Sequence, residues 1–127
     1  MACTVVWFRR DLRLADHAAL SEASRCGAVL PVFVLDRDLL FHPETAVARV
    51  AFMLASLQAL DRDLRQRGGR LLIRYGEPAQ ELLKLVRASG ADGVIAHTDS
   101  ERLVGRVRDA RVSNALAAAG IPLRWVE

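Results

Sequence analysis

Apolar blocks of two different periods alternate along this chain. Residues 5–9 and 29–35 are short, nearly continuous apolar runs rich in β-branched and aromatic side chains, which predicts strands covered on both faces. Residues 70–75, 94–97 and 123–126 predict three further strands. Between these runs the period lengthens. Residues 17–25 are Ala-rich, with Asp16 placed to cap a short helix and Gly27 to stop it. A polar loop over 36–43 follows the second strand. Residues 44–67 carry Val47, Val50, Leu54, Leu57, Leu60 and Leu64 at spacings of three and four, one apolar stripe along a long helix that Gly68-Gly69 ends. Residues 79–88 predict a helix with Leu82, Leu83 and Val86 inward, and Pro78 suits its first position. Residues 103–119 predict a last helix with Val104, Val107, Val112, Leu116 and Ala119 on one side, before Gly120 and Pro122.

Strand and helix therefore alternate and close on a strand. The natural solution is an α/β fold: a Rossmann-like, doubly wound, five-stranded parallel sheet, because right-handed crossovers place helices on both faces. The expected order is 3-2-1-4-5, with the first strand central. No internal repeat or linker interrupts the pattern, so residues 1–127 read as one domain.

Composition narrows the partners. An apolar fraction of 52% is ample for a core, and a formal charge of +3 is a milder basic bias than a dedicated nucleic-acid binder carries. Cys3 and Cys26 form no C-x-x-C pattern and read as ordinary buried thiols of a cytoplasmic protein. No apolar run is long enough for a membrane span, and no basic-then-apolar leader opens the chain.

In this topology the loops after the strands meet on one rim, where open α/β sheets hold their ligands. The first strand delivers Arg9-Arg10-Asp11-Leu12-Arg13 to that rim, the second Asp36-Arg37-Asp38, the third Gly76-Glu77, and the fourth His97-Thr98-Asp99-Ser100-Glu101. The crevice lies between the first and fourth, and Arg49 can reach the same rim beside Asp36. Such a set suits a planar polar ligand gripped by guanidinium and carboxylate groups above apolar strand ends. Each element also has a plainer structural reading. The Arg9–Arg13 charges can tie down the first loop as an ion-pair cluster, and Asp36 can cap its own loop. Asp99 and Glu101 can favour a helix N-terminus, and Glu77 can start the helix at Pro78. Arg102, Arg106, Arg108 and Arg111, interleaved with Glu101 and Asp109, read as a solvated helical face.

Other chemistries lack their patterns. His17, His42 and His97 sit on different elements without ligand spacing, which speaks against a metal. No G-x-G-x-x-G follows the first strand, no G-x-x-x-x-G-K-[ST] occurs, and no Ser or Cys sits in a nucleophile elbow. A phospho-receiver would want Asp at the end of the third strand, where Tyr75 stands.

The run Trp7-Phe8-Arg9-Arg10-Asp11-Leu12-Arg13-Leu14 resembles the opening signature of the DNA photolyase/cryptochrome family. Further stretches are similar to that family in its own order: Leu30-Pro31-Val32-Phe33-Val34-Leu35-Asp36, Ala48-Arg49-Val50-Ala51-Phe52, Ser56-Leu57-Gln58-Ala59-Leu60, Gly76-Glu77-Pro78 and Gly105-Arg106-Val107-Arg108-Asp109. One stretch departs: Asp99-Ser100-Glu101 is followed by Arg102-Leu103-Val104 in place of the family's Pro-Tyr segment.

The resemblance implies the family's N-terminal α/β domain, which holds a light-harvesting antenna: a deazaflavin, a flavin mononucleotide (FMN) or a folate. It implies that FAD, damaged DNA and the light-driven splitting of pyrimidine dimers belong to a following helical domain absent from these 127 residues. The chain alone is then not catalytic, and its partner is that C-terminal FAD-binding domain, through which DNA is met. Carried onto this sequence, a deazaflavin- or flavin-type pocket maps to Arg10, Phe33, Leu35, Asp36, Arg49, Asp99 and Glu101. Phe33 and Leu35 would border the ring, Arg49 would pair with an anionic part, and the acids would bind ring or hydroxyl groups. A folate would sit more superficially. Two other readings stand beside this one: a free-standing adenine-nucleotide-binding module of stress-protein type, and a docking domain with an empty crevice.

Overall fold

The computed structural model describes residues 3–9, 11–14, 17–36, 47–98 and 103–126, with only the backbone of 103–105. Nine elements follow in order: β1 (Cys3–Phe8), α1 (Ala18–Cys26), β2 (Ala28–Leu35), α2 (Val47–Gln66), β3 (Leu72–Tyr75), α3 (Pro78–Ser89), β4 (Gly93–His97), α4 (Leu103–Ala118) and β5 (Leu123–Val126). The strands form one five-stranded sheet in the order β3-β2-β1-β4-β5. All pairings are parallel, with Val5 opposite both Leu30 and Val94. The order expected from the alternation of elements is the order found.

Strand side chains alternate between two cores. Val5 and Trp7 of β1, Val32 and Val34 of β2, and Val94 and Ala96 of β4 enter one core with Leu82, Leu85 and Val86 of α3 and Val112 and Leu116 of α4. Val6, Phe8, Phe33 and Ile95 enter the opposite core with Ala19 and Ala23 of α1 and Leu57, Leu60 and Leu64 of α2. Burial on both faces is what makes β1 read as an unbroken apolar run rather than an alternating one.

Several helix details differ from the sequence reading. The N-cap of α1 is His17, whose ring accepts from the Leu20 N–H; Asp16, expected there, lies outside the described residues. Pro78 does open α3, and Glu77 caps it through the Gln80 N–H. On α2 only the later part of the expected stripe is buried: Leu57, Leu60 and Leu64 turn inward, whereas Val47 is 85% exposed and Leu54 46%. On α4, Val112 and Leu116 are buried and Val107 is half exposed; Val104 is not described beyond its backbone. Cys26 is exposed and Cys3 half-buried, so neither thiol is the buried one expected. Gly93 begins β4 where a Cβ would stand 2.9 Å from the Pro122 carbonyl oxygen, so a close backbone approach accounts for the missing side chain.

Candidate functional site

Because β1 and β4 are neighbours whose connections leave toward opposite sides, the switch point of the sheet lies at their carboxyl ends. Two polar assemblies occupy that place. The first is built on Arg9, the residue after β1. Its guanidinium grips Asp109 of α4 in bidentate fashion, at 3.1 Å to Oδ2 and 2.6 Å to Oδ1, and also donates to the His97 carbonyl at 3.3 Å. It lies over Trp7, 4.5 Å from the ring centroid, and 5.6 Å from that of Trp125. The Arg9 side chain is only 6% exposed. A planar cation that satisfies a carboxylate and stacks on indole faces suits Arg and not Lys. The two tryptophans, 6.0 Å apart, form the floor of this arrangement.

The second assembly centres on Asp11. One carboxylate oxygen, Oδ1, accepts the Arg9 backbone N–H at 2.8 Å. The other, Oδ2, lies 2.6 Å from His97 Nδ1 and 2.5 Å from His17 Nε2. The His17 approach is close but not aligned as a hydrogen bond, so its Nε2 has no directed acceptor. The remaining ring nitrogens face the start of α1: His17 Nδ1 accepts from Leu20 N–H at 2.9 Å and His97 Nε2 from Ala19 N–H at 3.2 Å. Two imidazoles thus take up backbone donors that the first turn of a helix leaves over. Those donors fix both tautomers, since a nitrogen that accepts carries no proton; in the neutral rings the protons sit on His97 Nδ1, directed at Asp11, and on His17 Nε2, beside it. Burial alone would raise the Asp11 pKa. The contact from His17, the Arg9 backbone N–H and the bond from His97 outweigh it and hold the carboxyl well below its ordinary range.

Asp11, His17 and His97 offer ligand-type atoms within 4.8 Å of one another. A metal would need bare lone pairs on the nitrogens that here carry protons, while the alternative nitrogens are held by backbone donors. The chemistry of the donor set is that of a hydrogen-bonded anchor joining the β1 loop, α1 and the end of β4.

The residues expected at the site are distributed as follows. Phe33 is 8% exposed and packed in the core beneath α2, while Leu35 is half-buried at the end of β2. Asp36 follows and pairs with Arg108 of α4 at 3.0 Å, which bridges the rim. Arg49 lies in the first turn of α2 and is exposed. Arg10, Asp99 and Glu101 lie outside the described residues. The plain reading of the helix 103–119 arginines as a solvated face is corrected at two positions: Arg108 holds Asp36, and the interleaved Asp109 holds Arg9. The separation of His17 from His97 is corrected too, since their ring centroids stand 4.4 Å apart. That meeting was implicit in the expected strand order, which sets the end of β4 beside the loop after β1. Two open hollows, of about 530 and 580 Å³, lie elsewhere, lined chiefly by residues near the amino ends of the strands, such as Val29 and Leu72 in one and Thr4 and Gly93 in the other.

Comparison with known proteins agrees with this architecture. Residues 4–127 match the family model described as DNA photolyase. The chain is 39% identical over 130 aligned residues to a cryptochrome DASH of Natronomonas pharaonis, covering 98% of this chain and 27% of that protein. It is 38% identical to a deoxyribodipyrimidine photo-lyase of a Synechococcus species, covering 91% of this chain and 24% of the relative. An archaeal photolyase from Sulfolobus tokodaii, solved with two FAD molecules and implicating a novel light-harvesting cofactor, superposes with a TM-score of 0.89 at 31% identity, over 98% of this chain and 29% of its own. The chain therefore spans about a quarter of the length of the curated relatives it matches.

Proposed function

The chain belongs to the DNA photolyase family, and on that footing we propose that it is the antenna-binding α/β domain of a photolyase or cryptochrome, its rim holding a deazaflavin or flavin mononucleotide. The observation that carries this reading is the end of β2. There a half-buried apolar residue, Leu35, is followed at once by a carboxylate, Asp36, and the next helix brings the exposed Arg49 in its first turn. An apolar strand end followed by an acid, with a cation opening the next helix, would suit a planar ring with hydrogen-bonding edges and an anionic substituent. Arg10, Asp99 and Glu101 would complete the cradle, and Phe33 would support it from beneath. When bound, such a pigment absorbs near-ultraviolet to blue light and passes its excitation on.

The chain's own residues supply orientation. Arg9 with Asp109, and Asp11 with the two histidines, fix the β1 loop and the end of β4, so the flanking side chains are held by a rigid frame. Asp36 is itself held by Arg108. FAD, DNA and the splitting of a lesion would belong to the remainder of the longer protein. The flavin type of antenna is preferred over folate because an acid follows the half-buried strand end and a cation opens the next helix. The adenine-nucleotide reading is not favoured, since the family match is to photolyases and no glycine-rich phosphate loop follows β1.

The test is titration of the purified chain with FMN, a deazaflavin and a reduced folate, followed by visible circular dichroism. A flavin-type ligand should bind with an induced signal. Loss of the Arg49 contact, about 1.5–3 kcal/mol for a bond to a charged group, should weaken it about tenfold or more in Arg49→Ala. Binding of ATP or AMP alone, or flavin binding indifferent to Arg49→Ala, would overturn the assignment.

A further inference from the structure

Helix α2 changes character halfway along its length. From Val50 to Leu60 no residue is charged, whereas Asp61-Arg62-Asp63-Leu64-Arg65-Gln66 holds four charged residues around the one buried leucine. Leu57 and Leu60 account for the inward side, with Met53 partly buried beside them. The outward side of the same stretch is apolar as well: Phe52 is 76% exposed and Leu54 46%, with exposed Ala51, Ala55 and Ala59 beside them, and Val47, 85% exposed, stands just before it on the far side of the exposed Arg49. On the sheet face that α2 covers, the edge strand β3 adds Ile73 and Tyr75, 46% and 49% exposed. Their register opposite Phe33 and Leu35 sets them on that face. A helix apolar all round is a buried helix, and a large exposed apolar patch marks an interaction surface.

We propose that the outward face of the first half of α2 is the docking surface for the part of the longer photolyase-type protein that this chain does not span. The proposal rests on the family reading above. The relatives carry about three times as much chain again beyond the matched piece, which makes up 27% and 24% of their lengths. The same fold, at a TM-score of 0.89, is 29% of the Sulfolobus tokodaii chain. The additional mass is the available occupant, and the return of charge at Asp61 marks where cover ends and water begins. Phe52, the bulkiest exposed side chain of this helix, is the anchor.

The experiment follows thiol labelling of Phe52→Cys, and of the milder Ala55→Cys, in a background lacking Cys3 and Cys26. Each variant is examined in the 127-residue chain and in the same chain joined to the remaining segment of the Natronomonas pharaonis cryptochrome DASH or of the Synechococcus photolyase. Arg65→Cys, on the charged half of the same helix, is the control. Labelling at positions 52 and 55 should slow by about tenfold or more in the joined proteins, with position 65 unchanged. Equal rates in short and joined forms overturn the proposal. Slow labelling already in the short chain also overturns it: a second copy is then the occupant if the rate depends on concentration, and the chain's own 37–46 segment if it does not. Labelling needs no pigment, so protection without antenna binding would refute the antenna assignment alone.

Discussion

Replacing Asp109 with Ala tests whether the rim is a rigid frame. The change removes two hydrogen bonds, at 2.6 and 3.1 Å, from a guanidinium whose side chain is 6% exposed. Breaking a buried ion pair by removing one partner costs about 3–5 kcal/mol, because the other charge stays desolvated. Arg9 would keep the bond to the His97 carbonyl and its place over Trp7 and Trp125, which lowers the expected loss to about 2–4 kcal/mol. With a urea slope of about 1–3 kcal/mol per molar, a 3 kcal/mol loss moves the midpoint by about 1–3 M. Asp109→Asn retains one acceptor and should lose less than half as much. The double variant Arg9→Met with Asp109→Leu removes both charges and should recover most of the stability, a coupling of about 2 kcal/mol. A midpoint shift below about 0.3 M for Asp109→Ala, or strictly additive effects in the double variant, would refute the account of a buried, mutually dependent pair.

Other outcomes follow from the same geometry. The Asp11 carboxyl titrates below its unfolded value, so the stability it contributes is present above about pH 4–5 and lost as pH falls through the folded pKa. Asp11→Asn should therefore be less stable than the parent at pH 7, by about 1–3 kcal/mol, and the gap should narrow steadily as pH falls below about 5 in denaturant titrations. A pH-independent gap would refute a charged Asp11. Gly93→Ala places a Cβ 2.9 Å from the Pro122 oxygen and should lower the melting temperature, at a cost of about 1–3 kcal/mol. An unchanged melting temperature would mean that the β4–β5 approach is not as tight as described.

Much of the fold is legible in the sequence because each strand is a continuous apolar run and each helix repeats every three to four residues. The pattern of Val5-Val6-Trp7-Phe8 states that both faces are covered, and right-handed crossovers then leave few arrangements of the sheet. The same periodicity misplaces Val47 and Leu54. Spacing tells which residues share a side of α2, not whether anything covers that side, and on this helix apolar residues surround the axis. The site is legible by type and not by pairing. Arg9, Asp11 and Asp36 stand out as charges at strand ends, yet their partners come from 72 to 100 residues away along the chain: His97, Arg108 and Asp109. Three arginines and an Asp on α4 look solvated until the sheet carries Arg9 and Asp36 beneath them. His17 and His97 look unrelated because their meeting depends on β4 pairing with β1, a contact no local window contains.

Arg9 and Asp109 lie 100 residues apart, and that distance has a consequence during synthesis. The opening strand leaves the ribosome early, carrying a cation made to be desolvated against indole and carboxylate. Its counter-ion follows 100 residues later, and Trp125 lies beyond that. A nascent chain shorter than this span lacks Asp109, and the Arg9 guanidinium has no carboxylate there to offset its desolvation. Closure of the rim therefore requires Asp109, and chains cut before it should differ from chains that include it in the accessibility of Trp7 to a quencher.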